Sequence, residues 1–435
     1  MKFEEIKKRI LRNYKVLAFT KIIGGLASVL TLLIIGRFLG VKEFGVFSII
    51  VSSIEILNIV FSFRIWDTSV KFIGENIQNK DRVSRYLSFS IILSSLSSLL
   101  SFSLIIFLLY FLVDQFFNFE KDVIILLVIY SFSVLFTSTT ETIDGILRTY
   151  NQYNSIFKIN VSTNFFRLFL ILICLYTIFS IKFVLLSFVL SSLVGMSLRC
   201  IYLQNILAKE RINFKIHNLL NKNERKDYIK FMLNAHFSNI LNLANDKNLG
   251  VVIVGYFVGP IYAGLYRAAR AIVKIIRRIM DPALEIIFPE FVRLNAEKDF
   301  NNYKRLILES LRMILISSLV IGIIIYIFSY EILFVFFGEQ FVAAETALII
   351  LILAMIIHNA SYWVNPSMLA LGKAKYLTFI TAATTVIYCF SLFSLVDILK
   401  HDGAAISLVV RNLCTLLIGT YFYRRAIKEK TSQDL

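Results

Sequence analysis

The sequence predicts an all-α polytopic membrane protein of about twelve transmembrane helices in two pseudo-symmetric six-helix bundles. Composition, a regular train of apolar spans and a one-sided distribution of basic residues all point there. The 435 residues are 57% hydrophobic and 17% charged, with a mean hydropathy of +0.74. Soluble domains are about 45–50% apolar, and one core has no room for the surplus. Phe alone occurs 40 times and Pro only 4 times. A lipid-facing surface absorbs such side chains without needing a partner.

A helix needs about 20 predominantly apolar residues to cross the hydrocarbon. Such stretches fall near 16–36, 44–65, 87–113, 122–143, 157–179 and 183–206. Six more follow near 231–257, 261–281, 309–330, 343–365, 376–397 and 403–423. The division expected is an N-terminal bundle over 1–207, a basic cytoplasmic linker over 208–230 and a C-terminal bundle over 231–435. The opening MKFEEIKKRILRNYK is basic and amphipathic. It leads into a span too long for a signal-peptide core and without a clear cleavage site, so it is expected to stay on the protein.

Net charge is +17. Lys7, Lys8, Arg9 and Arg12, then Lys71, Arg82 and Arg85, then Lys209, Arg211, Lys215 and Arg225 fall on one side. Arg293, Lys304, Lys373, Arg424, Arg425 and Lys428 join them. The opposite side holds little beyond Arg37, Lys42, Lys121, Lys182 and Lys400. This asymmetry places both termini in the cytoplasm of a multi-pass inner-membrane protein. It also accounts for the positive charge without a nucleic-acid partner, since no binding motif accompanies it. Cys174, Cys200, Cys389 and Cys414 lie in or beside apolar spans with no close pairing. They read as small hydrophobes, not as a zinc or disulfide framework. There is no Asp-x-Asp pair, no phosphate-binding G-x-x-x-x-G-K-[ST] loop and no His-Glu-x-x-His. No enzyme activity, metal or cofactor is expected.

An internal repeat supports two bundles. Residues Ile34–Gly40 (IIGRFLG) echo Ile253–Gly259 (IVGYFVG), and Gly45-Val46-Phe47 echo Gly264-Leu265-Tyr266 at the same offset. Each copy lies where the first helix of a half ends and the second begins. Tight helix–helix turns use the positive φ and close approach that glycine allows. Six helices return the chain to its starting side, so the halves enter in parallel.

An ionisable group at the bilayer centre costs about 2.5–3.5 kcal/mol or more, so such groups carry functional information. In the eighth span Arg267, Arg270, Lys274, Arg277 and Arg278 share an arc of roughly 100° at helical spacing. Arg277 and Arg278 are near enough to the interface to snorkel. Arg267, Arg270 and Lys274 lie deeper and are expected to line a cavity. The second span sets Ser48, Ser52, Glu55, Asn58 and Ser62 on one face. Glu55 is the repeat counterpart of Lys274 and stands as either a counter-ion or a proton carrier. In the seventh span Asp246 continues a stripe with Asn239 and Asn242, while Lys247 points elsewhere. Arg167 sits near mid-membrane in the fifth span and Lys21 in the inner part of the first. Glu141, Asp144 and Arg148 read as a structural salt-bridge network, and His358 as a hydrogen-bonded structural group.

The deep cations are Arg167, Lys247, Arg267, Arg270 and Lys274, with Lys21 and Arg411 less deep; the deep anions are essentially Glu55 and Asp246. Two carboxylates do not neutralise so many cations. Guanidinium forks suit phosphate oxygens, so the cavity is expected to take an anionic substrate.

The pattern resembles the polysaccharide-exporter branch of the multidrug/oligosaccharidyl-lipid/polysaccharide exporter superfamily. The likeness is carried by IIGRFLGVKEFGVFSI at 34–49, VIVGYFVGPIYAGLYRAAR at 252–270 and DPALEIIFPEF at 281–291. LFVFFGEQFVAAETALIILILA at 333–354 and LALGKAKYLTFITAATTVI at 369–387 add to it. The resemblance implies a MATE-like fold and a Wzx-like flippase. Its substrate would be a polyprenyl-diphosphate-linked oligosaccharide for O-antigen, capsule or exopolysaccharide. The headgroup would contact Arg267, Arg270, Lys274 and Arg167, with Lys21 at the cytoplasmic mouth; Glu55 and Asp246 would be the ion-coupling candidates for a proton or sodium. Membrane lipid, a polysaccharide polymerase and chain-length proteins would be further partners. Twelve spans, where the lipid II flippase branch has fourteen, argue against a peptidoglycan role. The competing reading is a drug/cation antiporter of the same fold.

Overall fold

A computed structural model describes the backbone of residues 2–116, 121–214, 220–241, 248–297 and 299–431. Side chains are described from Ala27 onward, apart from short stretches that include 112–121, 241–247 and 275–286. The described residues are helical with no strand.

Among the described residues, eight helices are long and apolar enough to cross a membrane, and some are long enough to cross twice. The helices α1 (Lys2–Phe61) and α15 (Ala374–Thr431) would each run roughly 90 Å if unbroken, about three times the hydrocarbon thickness. Each is broken once, α1 at Gly40 (φ 75, ψ 171) and α15 at Lys400 (φ 55, ψ −131). They supply the first and second spans and the eleventh and twelfth. A short α2 (Ile65–Glu75) follows the second span. Spans three, five, six and nine are α3 (Lys80–Phe116), α6 (Tyr153–Tyr176), α7 (Ile181–Glu210) and α11 (Phe300–Ile327). The fourth span is split into α4 (Lys121–Ser131) and α5 (Val134–Thr149). The seventh is α8 (Lys222–Leu241) with α9 (Leu249–Phe257), and the eighth is α10 (Pro260–Ala296). After α12 (Ser329–Phe336) and a 3-10 turn, the tenth is α13 (Glu345–Ala360) with α14 (Val364–Ala370).

The fourth and tenth spans occupy the same place in their halves, and both break at serines. Ser131 and Ser133 donate back to the carbonyls of Val128 and Tyr130, each at 2.7 Å. Ser361 donates to His358 O at 2.9 Å. Hydroxyls bonded to the preceding turn compete with the helical ladder. The spans expected near 122–143 and 343–365 each contain one of these breaks.

The chain forms two compact units, one of residues 46–252 and the other of residues 1–45 with 253–435. This grouping by packing is a different partition from the division by span order at 207/231. The first span groups with the C-terminal helices, and α8 groups with the N-terminal ones. Side chains give the reason. Gly36 leaves room for the Phe337 ring, which a Cβ there would meet at 2.5 Å. Val41 N donates to Gln340 Oε1 at 3.3 Å. On the other unit, Tyr228 of α8 is wholly buried, with its hydroxyl 2.7 Å from Ser90 and 3.3 Å from Ser69. Arg85 meets Glu224 at 3.2 Å. Thus 222–230 is packed helix, although the sequence suggests a linker there.

Within the 46–252 unit, α3 turns its serines inward. Ser90, Ser94, Ser97 and Ser101 are buried while Leu96, Leu99, Leu100 and Phe107 are exposed. Lipid favours this arrangement, because small residues let helices approach closely and apolar ones cost nothing outside.

The repeat is visible in the backbone. Gly40 (φ 75, ψ 171) and Gly259 (φ 98, ψ 174) adopt nearly the same conformation. Five residues on, Gly45 and Gly264 lie against each other reciprocally. A Cβ on Gly45 would meet Pro260 O at 1.8 Å; one on Gly264 would meet Val41 O at 2.4 Å. Nothing lies within 4 Å of a Cβ on Gly259. We expect Gly259→Ala to cost about 1–3 kcal/mol of backbone strain alone. Gly45→Ala should cost more, because backbone atoms have to part. Thermal unfolding of the two purified variants in detergent checks the order.

Candidate anion-binding side chains within the membrane

In the 46–252 unit, Glu55 is held on the second span. Asn248 Nδ2 donates to its Oε2 at 2.6 Å, and Ser52 Oγ lies 3.5 Å from Asn248 Oδ1. Arg167 of α6 donates through Nε to Ser191 Oγ at 2.8 Å and lies over the Phe188 ring at 4.4 Å. Glu55 and Tyr130 are both within its electrostatic reach. The carboxylate and the guanidinium therefore belong to one polar patch.

A second patch lies where α2, α5, α6, α7 and α8 meet. Arg199, 7% exposed, grips Asp144 with both ends of its fork at 2.8 and 3.0 Å, and donates to Asn160 Oδ1 at 2.7 Å. Arg64 pairs with Asp67 and donates to Asn239 Oδ1 at 2.7 Å. Burial holds the Asp67 carboxyl above its ordinary range, with Arg64 pulling it back. Arg64 and Arg148 both stack on Trp66, at 5.2 and 5.4 Å. Glu141 is in the field of Arg64, Asp144 and Arg148. The partner of Asp144 is Arg199 from α7, a residue the sequence analysis passed over, and not Arg148 of the expected Glu141–Asp144–Arg148 network, which lies over Trp66.

In the other unit, Arg267, Arg270 and Lys274 follow one another along α10, each half-buried. Arg270 lies 5.6 Å from the Tyr266 ring. Lys274 and Ala271 line a crevice with Ser28, Val29, Leu32 and Leu33 of the first span. On α15, Arg411 lies 5.7 Å from the Tyr388 ring. The four groups form one cluster, since both guanidiniums act on both phenols. His358 is half-buried on α13, and its neighbour Asn359 donates to Ser318 Oγ at 2.7 Å.

Of the side chains singled out in the sequence, Arg167 and Glu55 come together in one unit, and Arg267, Arg270 and Lys274 in the other. The side chains of Lys21, Arg277 and Arg278, and all of Asn242, Asp246 and Lys247, lie outside the described residues. Sequence reasoning missed Asn248 and the two tyrosines. Tyr266 stands four residues before Arg270, the helical spacing that puts a ring beside a cation, and that signal was available.

A sequence profile of the family described as "Polysaccharide biosynthesis protein" matches residues 10–295, well over half of the chain. The chain belongs to this family. It is 28% identical over 174 residues to a Shigella flexneri protein named "Putative O-antigen transporter", across 40% of this chain and 41% of that relative. The match thus spans less than half the length of that relative. Among solved structures, the family member superposes on the inward-facing conformation of a multidrug resistance MATE family transporter of the MOP superfamily. The TM-score is 0.80 at 14% identity, covering 96% of this chain and 100% of that one. A MOP superfamily transporter from Pyrococcus furiosus gives 0.67 at 16% identity, covering 97% and 96%. These likenesses establish the MATE-type fold and, with the apolar spans, a multi-pass membrane protein.

Breaking a buried ion pair from one side leaves an uncompensated charge, which costs about 3–5 kcal/mol. Arg199→Ala should therefore destabilise the purified protein strongly. Adding Asp144→Ala should return much of the loss. Thermal unfolding of the two single variants and the double variant measures that coupling.

Proposed function

We propose that the protein is a flippase, not an enzyme, and that it carries a polyprenyl-diphosphate-linked oligosaccharide across the cytoplasmic membrane for surface-polysaccharide synthesis. The observation that carries this reading is the row Arg267, Arg270 and Lys274 along one membrane helix. Ionisable groups along a membrane span are costly and mark substrate paths, and a diphosphate is the anion that a polysaccharide-family carrier would meet. Arg167 would contribute from the other unit and Lys21 at the cytoplasmic mouth. Alternating access would expose these groups first to one side of the membrane and then to the other. The basic residues flanking the spans support an inner-membrane orientation with both termini in the cytoplasm. A proton or sodium would couple the cycle, with Glu55 and Asp246 as candidates; a polymerase and chain-length proteins would act next on the product.

The antiporter reading needs a carboxylate ready for a cation. Glu55 is hydrogen-bonded to Asn248 and faces Arg167, which favours the counter-ion role.

Deleting the gene should abolish surface polymer and trap the lipid-linked unit on the cytoplasmic leaflet. Arg270→Ala or Lys274→Ala, inserted normally, should lower export by about tenfold or more, the size expected for a lost charge-assisted contact. Polymer yield and sidedness of the lipid-linked unit measure this. Normal polymer from both variants would sink the assignment.

A further inference from the structure

We propose that the two ends of α15 together form a binding site for an anionic phospholipid of the bilayer, a site that does not depend on the flippase reading. The segments 371–379 and 420–429 hold Lys373, Lys375, Arg424, Arg425 and Lys428, with Glu429 as their one acid. That acid is engaged within the protein. Lys373 Nζ donates to its Oε2 at 2.8 Å, the Tyr376 hydroxyl to its Oε1 at 2.6 Å and Arg425 Nε to its Oε1 at 3.0 Å. The Lys373 and Tyr376 bonds hold its carboxyl down to about 2, so it stays ionised and bound to these donors. Lys375, Arg424 and Lys428 are exposed and have no protein partner among the described residues.

The surface beside these cations makes the ligand a lipid. On the second half of α15, Leu413, Leu417 and Tyr421 are exposed at 41%, 68% and 62%, and helical spacing carries their face on to Arg424 and Lys428. On the first half, Phe390, Val386 and Phe379 are exposed and lead in the same way to Lys375. Phe422 bridges the halves, 5.0 Å from the Tyr376 ring and 5.4 Å from the Phe379 ring. The bonds of Lys373 and Tyr376 to Glu429 hold the same two ends together. Each stripe thus runs from apolar through aromatic to basic. A bilayer presents the matching order, from chains through the interface to the headgroup phosphate. Basic groups at that level attract anionic headgroups, and the Arg424 fork suits phosphate oxygens. Because the halves are bridged, cations from both border the same lipid.

The test is native mass spectrometry of the full-length protein in detergent, titrated with dioleoyl phosphatidylglycerol or dioleoyl phosphatidylcholine. The unsubstituted protein is expected to hold the anionic lipid about tenfold more tightly or better, the size expected for cations near an anionic headgroup. Arg424→Gln combined with Lys428→Gln should bring it to within about twofold of phosphatidylcholine. Neither substitution removes a bond to Glu429, and size-exclusion profile and thermal midpoint confirm that the variant is folded. Lys222→Gln combined with Lys226→Gln removes the same charge from an exposed face of α8 and should leave the preference unchanged. Anionic-lipid binding that survives in the Arg424 and Lys428 variant would overturn the site. An equal loss in the Lys222 and Lys226 variant would also overturn it, in favour of diffuse attraction by net charge. Displacement of the lipid by glycerol 3-phosphate would replace it with a site for a free phosphate.

Discussion

The hydrocarbon's intolerance of unpaired charge organises this molecule. Each ionisable side chain within a span needs a neighbour that offsets its desolvation, and the structure supplies different neighbours at different places. Arg199 has a carboxylate and an amide, the arrangement of a structural lock. Arg64 and Arg148 share an indole and lie near acidic groups. Arg270 and Arg411 have phenols behind them. Aromatic partners differ from carboxylates in one respect that matters for transport: they steady a cation without neutralising it. The same physical demand is therefore met by carboxylates and amides at some positions and by aromatic rings at others.

The glycine turns matter for a related reason. Backbone polar groups inside lipid have to be satisfied within the chain, so a reversal between two spans has to be short and tight. Gly40 and Gly259 provide the positive φ, and the Gly45–Gly264 approach brings two turns into backbone contact. This contact ties the first span to the unit holding 253–435. A repeat written in sequence thus becomes a pair of reciprocal contacts in space.

The spans, their number and the repeat were legible because the relevant forces are one-dimensional. Apolar length and the placement of lysines and arginines can be read along a string. The cation row on α10 was legible for the same reason, being a matter of helical spacing. Partners across helices were not. Asp144 has Arg148 four residues away, the partner local spacing suggests, yet it pairs with Arg199 fifty-five residues on. Asn248 was overshadowed by charged neighbours, although it is the residue that holds Glu55. The breaks at Ser131–Ser133 and Ser361 turn on hydroxyl bonds within one turn of helix. Serine-rich sequence hides such bonds, because most of its serines back-bond without breaking anything.

On the proposed reading, a carrier for a large anion has to release what it binds, and this would set a limit on the site. A ligand shifts a conformational equilibrium only by its difference in affinity for the two states. Arg199, already paired with Asp144 and bonded to Asn160, would add little to such a difference, because its partners stay with it. On the proposed reading the difference would have to arise along α10, where Arg267, Arg270 and Lys274 follow one another on one face.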